Sequence, residues 1–153
     1  MQFEHLVEVN GSEAPFALSR EALWSGLLRR AEDARPFLPG LESCRIIERQ
    51  ADALVRELRF GQSLVRDRAC WHSPNWIRFE ADTAQEHAGG SLTISIEESE
   101  EGKLFLRFCY LTNSCEADGE NQKYSDFIRS AWCQSDFDTL HVIRKMASSG
   151  KLL

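Results

Sequence analysis

Between Ser43 and Thr112 the chain runs through six short segments in which apolar and polar residues alternate. Alternation of period two puts successive side chains on opposite faces of a strand. The segments are Ser43–Gln50, Ala53–Phe60, Ser63–His72, Trp76–Thr83, Ser91–Glu98 and Lys103–Thr112. They are broken by Ala51-Asp52, Gly61, Ser73-Pro74-Asn75, His87-Ala88-Gly89-Gly90 and Glu100-Glu101-Gly102, which are mostly turn formers. Connections this short join antiparallel neighbours, because a parallel pair needs a crossover of a dozen or more residues. One further strand is expected at Gln2–Val9, with Phe3, His5, Val7 and Val9 on one face. A sheet of this kind carries one buried and one solvated face, and the buried face needs a cover.

Two helical segments are available. The longer, Glu120 to Ser149, has no proline and no internal glycine. Asp118 and Glu120 stand at its start, Arg144 and Lys145 near its end, as the helix dipole prefers. Gly150 supplies a stop. It is far longer than the mean of about 11–12 residues. At helical spacing Tyr124, Ile128, Ala131, Trp132, Val142, Ile143 and Met146 form one apolar stripe. Ser135 and Thr139 interrupt that stripe with small polar groups, which leave room where a solid core would be filled; a cavity is expected there. Phe137, Leu140 and Cys133 fall on the opposite flank, which suggests a second contact, with the loop after the first helix or with a second copy. The shorter helix is expected from an N-cap at Ser19 to about Ala34, with Leu23, Trp24, Leu27, Leu28 and Ala31 at helical spacing. Pro36 and Pro39-Gly40 end it. Only the terminal helix is long enough to cover the sheet, which gives an α+β two-layer fold in one domain, residues 1–153.

The 153 residues are 42% hydrophobic and 27% charged, with a formal net charge of −6, which is ordinary for a globular chain. Arginines are scattered, so no nucleic-acid footprint stands out. No apolar run approaches the roughly 20 residues of a membrane span. MQFEHLVEVN does not have the pattern of a signal peptide. Five cysteines without a CxxC pair suit free thiols in a reducing cytoplasm. His5, His72, His87 and His141 are isolated, and neither metal spacing nor a nucleophile or phosphate-loop motif occurs. No metal and no cofactor is expected.

Several stretches resemble a known family: Leu23-Trp24-Ser25-Gly26-Leu27, Arg30-Ala31-Glu32-Asp33, Phe37-Leu38-Pro39-Gly40, Arg56-Glu57-Leu58-Arg59-Phe60-Gly61, Gly90-Ser91-Leu92-Thr93 and Gln134-Ser135-Asp136-Phe137-Asp138-Thr139. They are similar to the AtaL-like group of small uncharacterised proteins within the helix-grip (Bet v 1-like, START-related, SRPBCC) superfamily. The resemblance implies a curved seven-stranded antiparallel sheet around a long C-terminal helix, with a short helical segment after the first strand and a cavity between sheet and helix. Superfamily members carry lipids, sterols, polyketides or hormones, and some are cyclases, aromatases or dehydratases. No catalytic motif carries over, and fold alone does not give function.

The residues expected to line such a cavity follow from the faces. Trp24, Phe79, Ile94, Phe108 and Ile128 would form apolar walls. Tyr110 and Tyr124 add hydroxyls that need partners. His5 is either a pocket proton donor or a core histidine bonded to a backbone carbonyl. Arg56 shares a face with Leu54, Leu58 and Phe60; if the face is concave, its guanidinium needs a carboxylate, either Asp67 in the next strand or one on a ligand. If the face lies at a sheet edge, both are solvated. Ser135 and Thr139 complete the lining. Arg66, Arg68 and Arg78 lie on the opposite parity and suit a solvated ladder answered by Glu48, Glu57 and Glu80, and Trp76 is expected to be exposed there. The first functional expectation is binding of a hydrophobic or amphipathic small molecule (lipid-, polyketide- or aromatic-like) by a monomer or homodimer. A cyclase- or dehydratase-like enzyme using His5 or a tyrosine with Arg56 is the second. The third is a regulatory or stress-related interaction protein without a ligand.

Overall fold

A computed structural model describes residues 2–82, 89–112 and 119–152; for 119–125 only the helical backbone is described. The elements are β1 (Gln2–Glu8), α1 (Arg20–Glu32), β2 (Ser43–Gln50), β3 (Ala53–Phe60), β4 (Ser63–His72), β5 (Trp76–Ala81), β6 (Gly90–Glu98), β7 (Leu104–Thr112) and α2 (Gly119–Ser148). The seven strands form one antiparallel sheet in the order β1-β7-β6-β5-β4-β3-β2. The meander expected from β2 to β7 is therefore present, and β1 closes it beside β7. The expected strand end at Thr83, the acidic Asp118 before the long helix, and Cys115 lie outside the described residues.

The alternation survives as burial. Leu54 and Leu58 of β3, Ile77 and Phe79 of β5, Ile94 and Ile96 of β6, and Leu104, Leu106 and Phe108 of β7 are buried. On the other face Arg66 and Arg68 of β4 stand in solvent, opposite Glu57 and Glu80. Trp76 is half-buried, not exposed, because the Arg78 guanidinium lies 5.2 Å from its ring centre.

The cover is shared, which corrects the expectation that α2 alone supplies it. α1 begins at Ser19, whose side chain accepts from the Ala22 N–H at 3.1 Å. Its inner face, Leu23, Leu27 and Ala31, is fully buried. α2 packs across α1 and β1. At the helix crossing there is no room for a side chain on Gly26: a methyl there would sit 2.6 Å from Cγ1 and Cγ2 of Ile143. The inward row of α2 is Trp132, Asp136, Thr139, Leu140 and Ile143. Leu140 thus belongs to the core and not to the outer flank. Phe137 remains 51% exposed, and Cys133 is half-buried.

Candidate ligand-binding site

The register of the sheet aligns two rungs across its covered face. One runs Arg56–Asp67–Ala81–Gly90–Thr112; the other runs Leu54–Ala69–Phe79–Leu92–Tyr110–Phe3. A recess of about 260 Å³ opens over both rungs, between Arg30 of α1 and Trp132 of α2. Phe79, Leu92 and Trp132 give it apolar walls, and Arg30, Arg56, Asp67 and Tyr110 give it polar ones. Gly90 sits at its rim with φ of +147°, where a Cβ would meet the Leu111 carbonyl oxygen at 2.6 Å.

Arg56 and Asp67 face the covered side, so the solvated-edge alternative does not hold. Arg56 is 1% and Asp67 6% exposed. Nε and Nη2 of Arg56 donate to the two carboxylate oxygens at 2.8 and 2.6 Å. Nη1 donates to the carbonyls of Arg30 and Ala31, at 2.9 and 3.1 Å. Those carbonyls lie in the last turn of α1, where intrahelical partners run out. One side chain therefore neutralises Asp67 and fastens the end of α1 to the sheet.

The second polar cluster joins the other end of the sheet to α2. The Tyr110 hydroxyl donates to Oδ1 of Asp136, and Nδ1 of His5 lies 3.0 Å from Oδ2. His5 thus meets a carboxylate, not the backbone carbonyl that was one expectation for it. Trp132 stacks on Tyr110, 4.3 Å between ring centres and 5° from parallel, and fixes the phenol beside the recess. Burial pushes the Asp136 carboxyl above its ordinary range, while the bonds from Tyr110 and His5 oppose that rise. Burial and then the Asp136 charge push the Tyr110 phenol far up, so it stays protonated. His5 keeps 20% of its side chain exposed. The three groups form a hydrogen-bonded chain from the recess to solvent.

Arg30 stands between these clusters. It is 5% exposed, yet among the described residues its Nε has no hydrogen-bond partner and it forms no ion pair. Both nearby buried carboxylates are committed, Asp67 to Arg56 and Asp136 to Tyr110 and His5. The contact it does have is the Phe79 ring, 4.7 Å from its guanidinium carbon; Arg56 lies 5.0 Å from the same ring. A cation–π contact supplies about 2 kcal/mol when desolvated; removing an ion from water costs several. The shortfall shows as a pKa pushed down to about 10, chiefly by desolvation.

Of the residues expected to line the cavity, Arg56, Asp67, Phe79 and Tyr110 border the recess. Trp24, Ile94 and Phe108 are core residues away from it. His5 reaches it only through Asp136 and Tyr110. Ile128 is half-buried and does not line it, and the Tyr124 side chain lies outside the described residues. Ser135 is half-buried, and Thr139 is packed at 1% exposure. The recess is not at those two residues: it opens further toward the start of α2, at Trp132, and the buried polar group on the stripe is Asp136. Two site residues were missed, Arg30 and Asp136. Spacing held a signal for both. Arg30 is seven residues beyond Leu23 and three beyond Leu27; Asp136 is four beyond Trp132 and seven before Ile143. Among the described residues no group of three His, Cys, Asp or Glu side chains is placed to hold a metal, and no helix is long and apolar enough to cross a membrane.

The sequence family described as acetylaranotin biosynthesis cluster protein L (AtaL) matches residues 3–150. The chain belongs to the AtaL family. No curated protein sequence matches it. Among solved structures, this AtaL-family chain is similar to the Zhui aromatase/cyclase of Streptomyces sp. R1128, with 16% identity, a TM-score of 0.64, and coverage of 97% of this chain and 93% of that one. It also resembles the di-domain aromatase/cyclase StfQ of the steffimycin pathway, at 12% identity and TM-score 0.68, covering 97% of this chain and 50% of that one. A third similar structure is Ara h 8.0201, at 14% identity and TM-score 0.59, covering 94% of this chain and 98% of that one. At these identities the likeness concerns the fold, and the fold of this AtaL-family chain is the Bet v 1-like helix grip.

Proposed function

We propose that this AtaL-family protein binds a small amphipathic molecule of one or two rings, aromatic- or polyketide-like, in the recess between Arg30, Phe79, Tyr110 and Trp132. The observation that carries this reading is the pairing of apolar walls with a buried guanidinium whose Nε has no hydrogen-bond partner among the described residues. A solid core would hold neither. Size narrows the class: about 260 Å³ falls just below the roughly 300–1,000 Å³ usual for ligand pockets, which favours compact rings over a sterol or a long acyl chain. The half-buried free cysteines Cys44, Cys70, Cys109 and Cys133 suit a reducing compartment such as the cytoplasm. Native mass spectrometry of the purified protein tests the reading, together with a thermal-shift screen of ring compounds. A bound mass or stabilisation that is lost in Trp132→Ala is expected; no mass and no shift across the screen would sink it.

A second reading is acid–base chemistry of the cyclase or dehydratase type, and the hydrogen-bonded chain Tyr110–Asp136–His5 favours it. With Asp136 protonated on Oδ2, a proton taken up by the phenol oxygen releases the phenol's own proton to Oδ1 as the Oδ2 proton passes to Nδ1 of His5 on the solvent side, and the reverse path returns it. Two of the similar structures are named aromatase/cyclases. Turnover of a ring-forming substrate that survives both Tyr110→Phe and His5→Gln would refute it.

A further inference from the structure

Resting on the binding role just proposed, we infer that the ligand is an anion: it presents a carboxylate, or the oxygen of an ionised phenol or enol, to the Arg30 guanidinium. The argument starts from what is left unpaired. Arg30 is buried, with 5% of its surface exposed. It carries five N–H donors in a planar fork, and Nε has no acceptor. The two buried carboxylates nearby are already taken: Asp67 accepts from Nε and Nη2 of Arg56 at 2.8 and 2.6 Å, and Asp136 is bonded on both oxygens. Arg30 borders the recess, so an acceptor can reach it from within.

The backbone beneath Arg30 is held in place. Its own carbonyl accepts from Arg56 at 2.9 Å, so the last turn of α1 is tied to β3. The guanidinium also rests on Phe79. A planar oxyanion meets such a fork with two parallel hydrogen bonds, which is the geometry guanidinium groups favour. Trp132, stacked on Tyr110, then forms a flat wall for the ligand's ring. Neutral amides and alcohols of the same shape would leave the cation uncompensated. The site therefore selects for charge as well as shape.

The test uses the intact protein and matched pairs of small ring compounds: benzoate and benzamide, salicylate and salicylamide, 2-naphthoate and 2-naphthamide. Affinity is measured by tryptophan fluorescence titration with calorimetric confirmation, at neutral pH. The expected result is that within at least one pair the acid binds tenfold or more tightly than its amide, and that Arg30→Gln removes this preference while Arg30→Lys keeps part of it. The comparison of acid with amide needs no variant, so it stands even if a variant folds poorly. Equal binding of acids and amides would overturn the inference while leaving the pocket a binding site. Retention of the full preference in Arg30→Gln would also overturn it. If no member of any pair binds, the binding role itself fails, and the inference fails with it.

Discussion

Asp67→Asn isolates the buried ion pair. The substitution keeps shape and removes one charge. It leaves the Arg56 guanidinium, 1% exposed, facing an amide whose N–H groups oppose its own. Removing one partner of a buried pair costs about 3–5 kcal/mol, because the remaining charge is stranded. For a chain of this length each kcal/mol lowers the melting temperature by roughly 2–4 °C, so a fall of about 6–20 °C is expected. The molecule contains its own control. Arg49 and Glu32 make an equally well-formed pair, with donor–acceptor distances of 2.7 and 2.8 Å, but their side chains are 56% and 44% exposed. Water screens such a pair, so Glu32→Gln is expected to cost less than about 1 kcal/mol. Urea unfolding followed by tryptophan fluorescence measures both, with an unchanged m-value as the check that only stability has moved. If Asp67→Asn costs less than about 1 kcal/mol, or no more than Glu32→Gln, then burial is not what gives the pair its weight and the reasoning is wrong.

Asp136→Asn is expected to remove a pH dependence. The folded protein holds the Asp136 proton more tightly than the unfolded chain, whose value is the ordinary 3.8, so this group's contribution falls as pH rises from about there through its raised value. The stability of Asp136→Asn relative to the wild type should improve across that window in urea midpoints taken from pH 3.5 to 8; a constant difference would contradict the assignment. Tyr110→Phe keeps the stack on Trp132 but removes a hydrogen bond to a charged acceptor, for a loss of about 1.5–3 kcal/mol. It also removes a group that lowers the Asp136 pKa, so carboxyl titration followed by NMR should move further up; an unchanged titration refutes the bond. Gly26→Ala forces a methyl to within 2.6 Å of Ile143, and overpacking of this kind costs about 1–3 kcal/mol. Pairing it with Ile143→Ala, which removes both Cγ atoms, should cost less than the sum of the two single changes in the same unfolding assay, and strict additivity would place the strain elsewhere.

The sheet was legible because its period is local: every strand from Ser43 to Thr112 announces itself within eight or so residues, and Leu54–Arg56–Leu58 kept its face. Arg56 and Asp67 pair because both strands alternate and the hairpin between them sets the register, so their meeting could be anticipated. Arg30 and Asp136 could not be read the same way. Each sits at an apolar-stripe position of a helix, where a charge looks like a mispatterned surface residue. Their roles depend on which parts of α1 and α2 come to rest over β5 and β7, and that is settled by contacts such as Gly26 against Ile143 that span more than a hundred residues. Ser135 and Thr139 misled for a related reason. Small polar side chains mark a weak spot in a stripe, but a few tens of degrees of helix rotation decide which neighbour faces the opening.

Arg30, buried in a helix end that Arg56 has fixed and with an Nε that no described group accepts from, has a consequence for how such a chain can change over generations. Selection for folding alone would replace it with leucine or methionine, since either fills the space and neither needs water or an anion. Its presence therefore opposes the drift toward a filled, inert interior. A laboratory screen for thermostable variants run without ligand should drift to an apolar residue at this position, and one run with ligand present should not.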